Sequence, residues 1–146
     1  MNIRNRKAFY EYSIIKEYNA GICLMGSEVK SIRNSEASIS EAFVYISNSE
    51  IFIKGMFVNK YKQAVHFNHE EVRDRKLLLN KKEIRQISEQ LKMPGFTCIP
   101  LNVHDANGKI KLTIAIAKGK KLWDKKESIR EKDIKLQTQR ELSYAL

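Results

Sequence analysis

The Asn107-Gly108 pair constrains the fold of this chain more than any other feature of its sequence. It lies between two stretches rich in apolar residues, 96–103 and 109–117, and the second alternates apolar with polar residues. Asn-Gly favours the two-residue type I′ turn, which joins two antiparallel strands. The sequence therefore predicts a long antiparallel hairpin around residue 107.

Further apolar runs indicate that much of the chain is built from short strands. The predicted strands are residues 10–18, 22–25, 42–46, 51–53 with an extension through 55–58 and a bulge at Gly55, 96–103 and 109–117. Residues 10–18 carry a slip or bulge at Ile14-Ile15, and Asn19-Ala20-Gly21 is typical of a turn, so the first two strands are expected to pair. Residues 47–50 are typical of a hairpin turn. Residues 1–8 are expected to order only on binding, and 60–75 to form a long surface loop.

Two segments carry helix signals. Ser27 can cap a short helix with Glu28 in its first turn, and Asn80 can cap a second helix in which Glu83 completes a capping box. The apolar residues expected to face the core are Val29, Ile32, Ile84, Ile87 and Leu91. The cations expected on the exposed sides are Lys30, Arg33, Lys81, Lys82, Arg85 and Lys92. Each helix therefore presents a basic surface.

About six strands with short connections, and no βαβ spacing, favour one antiparallel domain. The fold prediction is mainly β with α: a small antiparallel β-barrel of the oligonucleotide-binding type with two to three flanking helices. This RNA-binding domain is expected to span residues 1–118, and residues 119–146 are expected to form a basic C-terminal tail.

The balance of charge points to a polyanionic partner. Lys and Arg number 27 against 17 Asp and Glu, a formal net charge of +10. RNA, DNA and an acidic membrane all fit such a charge, and nucleic acid is favoured for a basic domain of this size. No stretch approaches the roughly 20 apolar residues that a membrane span needs. A cytoplasmic protein without a membrane partner is therefore expected, with Cys23 and Cys98 as buried reduced thiols; a disulfide or a metal site is the alternative.

Residues for catalysis are not evident. His66 and His69 resemble metal ligands but lack a nearby third ligand, and His104 lies near a predicted hairpin tip. All three are interpreted as solvated loop histidines. A phosphate-binding glycine loop, a nucleophile elbow and paired carboxylates are missing. We therefore predict a chain that is not an enzyme and holds no cofactor and no metal; a metal-dependent RNA hydrolase is the catalytic alternative.

Aromatic residues lie among the cations and could stack on unpaired bases. Tyr10 and Tyr12 would share one face of the first predicted strand, so they suit the core equally well. Trp123, with lysines on both sides, is interpreted as an exposed stacking residue, and packing beneath the barrel is the alternative. Tyr61 and Phe67 are the other candidates.

The tail favours a helix by composition but has no continuous apolar face. It is either a disordered solubilising segment or one that folds when RNA supplies the surface.

Five blocks of sequence, in order and in register, resemble the signature segments of the SmpB family, the bacterial small protein B or SsrA-binding proteins. The blocks are residues 5–8 (Asn-Arg-Lys-Ala), 20–22 (Ala-Gly-Ile), 26–33 (Gly-Ser-Glu-Val-Lys-Ser-Ile-Arg), 75–79 (Arg-Lys-Leu-Leu-Leu) and 117–121 (Ala-Lys-Gly-Lys-Lys) with 124–126 (Asp-Lys-Lys) after it. The resemblance runs from about residue 5 to about residue 135.

This resemblance implies an oligonucleotide-binding-type barrel that binds the tRNA-like domain of transfer-messenger RNA. Such a protein delivers the RNA, with elongation factor Tu and GTP, to ribosomes stalled on messages without a stop codon. The tail would enter the empty decoding site of the small subunit and the message channel and fold there as a helix. The chain would act as a monomer. A general binder of structured or ribosomal RNA is the alternative.

The resemblance and the basic surfaces together identify candidate site residues. Asn5 and Leu78 match RNA-contacting positions of the family, whereas Asn19 stands where many members have Glu and Tyr10 where several have His. The full set expected to bind RNA is Asn5, Arg6, Lys7, Tyr10, Asn19, Lys30, Arg33 and Leu78. The tail residues expected at the decoding site are Gly119, Lys120, Lys121, Trp123, Asp124, Lys125 and Lys126. The family has Asp-Lys-Arg where this chain has Asp124-Lys125-Lys126, so Lys126 keeps the charge of the arginine but loses its bidentate hydrogen bonding.

Overall fold

The computed structural model describes residues 1–64 and 68–120 of the chain. Within these residues there are nine strands and three helices. The strands are β1 (Asn2–Arg4), β2 (Tyr12–Ile22), β3 (Ala37–Ser38), β4 (Phe43–Ser47), β5 (Glu50–Lys54), β6 (Phe57–Val58), β7 (Arg75–Leu78), β8 (Phe96–Ala106) and β9 (Lys109–Gly119). The helices are α1 (Arg6–Glu11), α2 (Gly26–Arg33) and α3 (Lys81–Leu91). The predicted mainly-β fold with two to three helices is confirmed.

Six of these strands close into a ring in the order β8-β4-β5-β7-β2-β9, because β9 pairs back onto β8. Every pairing in the ring is antiparallel. The long strands β2, β8 and β9 pair over most of their length, whereas the described register joins β4 to β8 only at Val44 and Cys98. β1 extends the sheet beyond β8, and β3 with β6 forms a separate two-stranded sheet. The ring is therefore paired most extensively around β9 and least between β4 and β8.

The N-terminal residues are folded onto this ring, so the prediction that 1–8 order only on binding is wrong. β1 pairs with β8, with Ile3 opposite Val103. α1 follows Asn5, whose Oδ1 accepts a hydrogen bond from the Ala8 amide at 3.2 Å. Backbone pairing and this side-chain cap hold the segment. Neither the strand pairing nor the cap requires an apolar run, so the polar sequence of this segment did not indicate that it is folded.

β2 is one continuous strand, so the turn predicted at 19–21 and the separate strand at 22–25 are wrong. The predicted bulge is confirmed, since the pairing with β9 shifts register between Ile14 and Lys16. The strand continues through Gly21, which pairs with Leu78 of β7. Long-range pairing with β7 and β9 overrides the local turn preference at this point.

Both predicted hairpin turns are confirmed. Asn107 and Gly108 have φ angles of 53° and 81°, and Asn48 and Ser49 have φ angles of 51° and 61°. These positive values are the ones that type I′ turns need. Gly55, with a φ of 82°, turns the chain after β5 and leads it into β6, which pairs with β3. The predicted extension of β5 is therefore wrong.

The two predicted helices, α2 and α3, form with the predicted inward faces. Val29, Ile32, Ile84, Ile87 and Leu91 all belong to the core or pack against it. The Asn80 Oδ1 atom accepts a hydrogen bond from the Glu83 amide at 2.8 Å, which completes the predicted capping box. In α2 the N-cap is Met25 rather than Ser27, and the Met25 amide donates to Glu28 Oε1 at 2.8 Å. The carboxylate of Glu28 thus caps the helix from its first turn.

The main core fills the ring, and the two cysteines have different environments. Cys98 is buried, and burial raises the pKa of its thiol to about 12. Cys23 is exposed, so its predicted burial is wrong; it follows the end of β2, where the chain leaves the ring. Among the residues described, no helix has the length and apolar character needed to cross a membrane.

Candidate nucleic-acid interface

An exposed leucine lies on the outer surface where β7, β2 and β9 meet. Gly21 of β2 pairs with Leu78 on one side and with Lys111 on the other. A Cβ atom on Gly21 would lie 3.1 Å from the Leu78 Cβ atom, so the leucine occupies the space that the glycine leaves open. Leu78 is nevertheless 53% exposed. Single exposed leucines are common, so the significance of this one depends on its neighbours.

Those neighbours include several cations. A cleft of about 340 Å³ adjoins the leucine, and its lining includes Gly21, Arg33, Leu78, Lys109 and Lys111. Arg33 extends from α2 over the hairpin turn, where its Nη2 donates to the Gly108 carbonyl oxygen at 2.7 Å and lies 3.8 Å from Asp105 Oδ2. Cations around an apolar surface suit a phosphate backbone with its sugars and bases.

Asn19 lies on the same surface, because residues two apart on a strand share a face. Its Oδ1 accepts a hydrogen bond from Thr113 Oγ1 at 3.1 Å. We refer to Asn19, Gly21, Arg33, Leu78, Lys109 and Lys111 together as the Leu78 platform. The fold thus brings together three of the predicted RNA-binding residues, Asn19, Arg33 and Leu78. Our prediction missed Lys109, Lys111 and Thr113. Their alternating positions in a predicted strand place them on one face, and this was the signal that could have identified them.

Lys30 lies on the same helix as Arg33 but makes a different contact. Its Nζ atom lies 5.2 Å from the centre of the Tyr61 ring, a cation–π geometry. Lys30 is exposed. It therefore adds positive charge beside the platform, and Tyr61 holds it in place.

The other predicted residues lie at the opposite end of β2. Tyr12 pairs with Gly119 at that end, whereas Gly21 pairs with Lys111 near the platform. The two positions are nine residues apart along β2, roughly 30 Å at the usual rise of a strand. The group at this far end consists of Asn5, Arg6, Lys7, Tyr10, Gly119 and Lys120. The predicted site is thus divided into two regions of the molecule.

Asn5 is buried, with only 3% of its surface exposed. Its Nδ2 donates to the carbonyl oxygens of Pro100 at 2.9 Å and Ile39 at 3.4 Å, while its Oδ1 caps α1. These contacts use both amide hydrogens and the oxygen. In this structure the side chain fixes α1 and β8 against each other, and its contact with RNA stays a prediction.

The remaining residues of this group are on or beside α1. Arg6 and Tyr10 are exposed, and Tyr10 lies on the helix rather than on a strand face shared with Tyr12. Lys7 donates to Glu41 Oε1 at 3.1 Å, and this hydrogen bond raises the pKa of the lysine. The helix therefore presents basic and aromatic side chains at the surface.

Lys120 ties the start of the tail to the C-terminus of α1. Its backbone amide donates to the Glu11 carbonyl oxygen at 2.9 Å, and its Nζ donates to the Phe9 carbonyl oxygen at 3.3 Å. A cation at the C-terminus of a helix satisfies carbonyls that lack helical partners and interacts favourably with the helix dipole. The direction in which the chain leaves β9 is thus coupled to α1.

A buried ionic network supports α2 from within. Glu28 and Arg75 are both 0% exposed and form a close ion pair, and Arg73 Nε donates to Glu28 Oε2 at 3.2 Å. Burial alone would raise the pKa of Glu28, but hydrogen bonds from Arg73, the Met25 amide and Arg75 outweigh it and hold the pKa of the carboxyl below its usual value. Burial lowers the pKa of Arg75. Our prediction missed this network, because only the tertiary fold brings residue 28 to residues 73 and 75.

His69 also supports α2, and its interpretation as a solvated histidine is wrong. It is buried, and its Nδ1 lies 2.8 Å from Ser27 Oγ. Its Nε2 lies 2.9 Å from the carbonyl oxygens of Val58 and Asn59. Because carbonyls only accept hydrogen bonds, Nε2 carries the proton and Nδ1 accepts from the serine hydroxyl. His69 therefore joins the backbone at Val58 and Asn59 to the start of α2.

Several candidate residues lie outside the described part of the chain. These are His66, Phe67, Lys121, Trp123, Asp124, Lys125 and Lys126. Among the residues that are described, no group of three or more His, Cys, Asp or Glu side chains is placed to hold a metal ion.

The ring and its platform define the class of protein. A small closed antiparallel sheet with an exposed apolar residue among cations is the architecture of a nucleic-acid-binding β domain. The comparisons make this more specific. The family model described as SmpB protein matches residues 2–144, so the chain belongs to the SmpB family.

Curated relatives and a solved structure agree with this membership. An SsrA-binding protein of Fusobacterium nucleatum is 53% identical over 137 residues, which cover 94% of this chain and 93% of the relative. One of Acholeplasma laidlawii is 50% identical over 139 residues, covering 95% and 93%. A solved chain described as "tmRNA-SmpB: a journey to the center of the bacterial ribosome" superposes with a TM-score of 0.71 at 32% identity, covering 88% of this chain and 94% of that one.

Proposed function

We propose that this chain binds the tRNA-like domain of transfer-messenger RNA, the SsrA RNA, and delivers it to stalled ribosomes for trans-translation. The observation that carries this proposal is the family match over residues 2–144, since SmpB is a family of RNA-binding adaptors and not of enzymes. The chain then acts by recognition and delivery, without covalent chemistry of its own.

The Leu78 platform supports the RNA-binding part of the proposal. Arg33, Lys109 and Lys111 neutralise phosphates, and the exposed Leu78 side chain packs against sugar or base edges. Lys30 adds charge on the same helix. Buried ion pairs and His69 hold α2, so the cations are presented on a rigid support.

The two-ended arrangement supports the delivery part. RNA held at the platform leaves the opposite end of β2, with α1 and Lys120, accessible to a second partner. We infer that residues 1–118 bind the RNA and that residues 119–146 enter the empty decoding site of the small subunit and the message channel, folding there as a helix. Trp123 stacks at the decoding centre in this scheme, and Lys121, Asp124, Lys125 and Lys126 contact ribosomal RNA around it. Arg6, Lys7 and Tyr10 contact RNA near the base of the tail.

Three further elements complete the proposal. Elongation factor Tu with GTP joins through the RNA rather than through a surface of this chain. The chain acts as a monomer. Its place of action is the cytoplasm, because bacterial ribosomes translate there.

A truncation separates binding from delivery. We compare the full chain with one ending at Gly119, and measure affinity for transfer-messenger RNA by fluorescence anisotropy and tagging of stalled peptides in a reconstituted translation system. We expect nearly unchanged affinity and loss of tagging, because the truncation spares the platform and removes the tail. Leu78→Ala is the matched opposite, and should weaken both readouts.

The alternatives give different outcomes. If the truncation weakens RNA binding as much as it harms tagging, the chain is a general RNA-binding protein. The same conclusion would follow if bulk transfer RNA and transfer-messenger RNA bound with equal affinity and if both affinities fell equally steeply between two salt concentrations. Turnover of RNA by the purified protein would contradict the non-enzymatic role.

A further inference from the structure

A groove between α3 and β4 lies on the far side of the ring from the Leu78 platform. β4 is three strands away from β2 in either direction around the ring. On that side α3 packs against the outside of the ring, with Ile87 buried in the core and Leu91 packed against it. The space that remains between helix and strand is accessible from solvent and takes no part in the function proposed above.

Two adjoining cavities form this groove. The first, of about 410 Å³, is lined by Ile46, Ser49, Lys81, Ile84, Arg85 and Ser88. The second, of about 310 Å³, is lined in part by Phe43, Tyr45, Ile46, Ser88, Lys92 and Phe96. Ile46 and Ser88 border both cavities, so the two cavities are parts of one continuous groove. Each is as large as an ordinary small-ligand pocket.

One wall of the groove is basic. Lys81, Arg85, Ser88 and Lys92 follow one another at intervals of four, three and four residues, so they lie on one face along α3. Three of these four residues are cations. Glu89 lies beside this stripe, four residues after Arg85 and three before Lys92, and lines a separate cleft with Lys16 and Gln86. The stripe runs about 16 Å along the helix, at 1.5 Å per residue.

The opposite wall is aromatic. Phe43 is 44% exposed at the start of β4. Tyr45 stacks on Phe52, with ring centres 5.4 Å apart, and donates its hydroxyl hydrogen to Asp74 Oδ2 at 2.6 Å. Tyr45 is therefore already engaged, whereas the exposed face of Phe43 is accessible for stacking. A row of cations opposite an aromatic ring is the arrangement by which proteins bind unpaired nucleic-acid strands.

We propose that the α3–β4 groove is a second RNA-binding site, which takes an unpaired strand while the Leu78 platform holds the first RNA. Phosphates lie along Lys81, Arg85 and Lys92, and one base stacks on Phe43. The proposal rests on the function proposed above only for the identity of the first RNA. The charge complementarity and the exposed ring favour RNA over an acidic peptide, which needs no stacking surface.

The test uses a short fluorescent oligouridylate and the full chain, free and saturated with transfer-messenger RNA. We expect the oligouridylate to bind the preformed complex without displacing the larger RNA. Arg85→Gln with Lys92→Gln should weaken this binding and lower the slope of log affinity against log salt by about 1.4, since each phosphate contact on a single strand contributes about 0.7. Phe43→Ala should weaken it about tenfold, within the range for loss of one stacked base.

Lys60→Gln with Lys62→Gln is the matched control, since it removes the same charge from exposed lysines that do not line the groove. Circular dichroism confirms the fold of each variant. Displacement of the oligouridylate by transfer-messenger RNA, or equal binding by groove and control variants, would overturn the proposal. Binding of polyglutamate at equal affinity, with no effect of Phe43→Ala, would assign the groove to acidic protein segments instead. If transfer-messenger RNA itself fails to bind, the function proposed above falls, and oligouridylate binding to the free chain still decides the fate of the groove.

Discussion

Replacing Glu28 with Gln would remove one charge from the buried ionic network while nearly preserving side-chain volume. Glu28 and Arg75 are fully buried, and Arg73 is partly exposed at 31%. The variant leaves the Arg75 guanidinium without its carboxylate. That guanidinium keeps its hydrogen bonds to the carbonyl oxygens of Met56 at 2.8 Å and Arg73 at 3.2 Å. The hydrogen bonds are thus partly retained, but the buried charge is no longer compensated.

The expected cost is large for a single substitution. Removing one partner of a buried ion pair costs about 3–5 kcal/mol, because the other charge stays desolvated. In a domain of this size that corresponds to a fall in Tm of roughly 6–20 °C. Since a typical native domain is stable by only about 5–15 kcal/mol, the variant loses a substantial part of its stability.

The pH dependence gives an independent check. Hydrogen bonds to the arginines and the Met25 amide lower the pKa of Glu28 in the folded chain. A carboxyl with a lowered folded pKa contributes stability above its unfolded pKa and loses that contribution as pH falls through the folded pKa. The stability gap between wild type and Glu28→Gln should therefore be full near neutral pH and shrink below about pH 4.

Urea unfolding followed by far-ultraviolet circular dichroism measures both effects. Glu36→Gln is the matched control, because Glu36 is exposed and follows the same helix; its effect should be within about 0.5 kcal/mol. Adding Arg75→Met to Glu28→Gln should recover part of the loss, since an apolar side chain needs no counter-charge. A Glu28→Gln variant within about 1 kcal/mol of wild type, or a gap that is the same at pH 7 and pH 3, would refute the reasoning.

Three substitutions and one labelling reaction test other parts of the structure. Leu78→Ala should cost less than about 1 kcal/mol of stability because the side chain is half exposed, yet weaken transfer-messenger RNA binding at least tenfold in an anisotropy titration. Gly21→Ala should also weaken binding of this RNA, because the added methyl group displaces the leucine side chain. Asn5→Ala should destabilise the fold by about 2–3 kcal/mol in urea, because it removes a helix cap and two buried hydrogen bonds, and an unchanged midpoint would contradict that account. With a thiol-reactive dye at neutral pH, the exposed Cys23 should react rapidly and Cys98 only after unfolding, because the dye needs access to a thiolate and burial disfavours the thiolate of Cys98. Two rapidly reacting thiols in the native chain would contradict the burial of Cys98.

The features that the sequence predicted well are those with short-range causes. The turn at Asn107-Gly108 depends on two residues that tolerate positive φ, and the capping box of Asn80 and Glu83 depends on a spacing of three residues. The inward positions of α2 and α3 follow from helical periodicity. In each case the interacting groups are close neighbours in the chain, so the residue types alone determine the local geometry.

The wrong predictions concern segments whose structure depends on distant partners. Residues 19–21 look like a turn, yet they continue β2 because β7 and β9 supply hydrogen-bond partners on both sides. Residues 1–8 look like a mobile lead, yet Asn5 finds carbonyls at positions 39 and 100. His69 looks like a solvated loop residue, but its ring bonds Ser27 and two backbone carbonyls.

By itself the sequence determined that this chain would be basic and mainly antiparallel β, with two capped helices and the signature blocks of its family. Charge, turn chemistry and periodicity require no knowledge of what packs where. Only the tertiary structure decided which candidate residues lie together. Asn19 and Leu78 meet at one end of β2 because β7 pairs with β2 there, and α2 brings Arg33 beside them. Asn5 and Lys120 lie roughly 30 Å away at the other end. It also placed the cations of α3 opposite Phe43, because the helix packs on the outside of the ring beside β4.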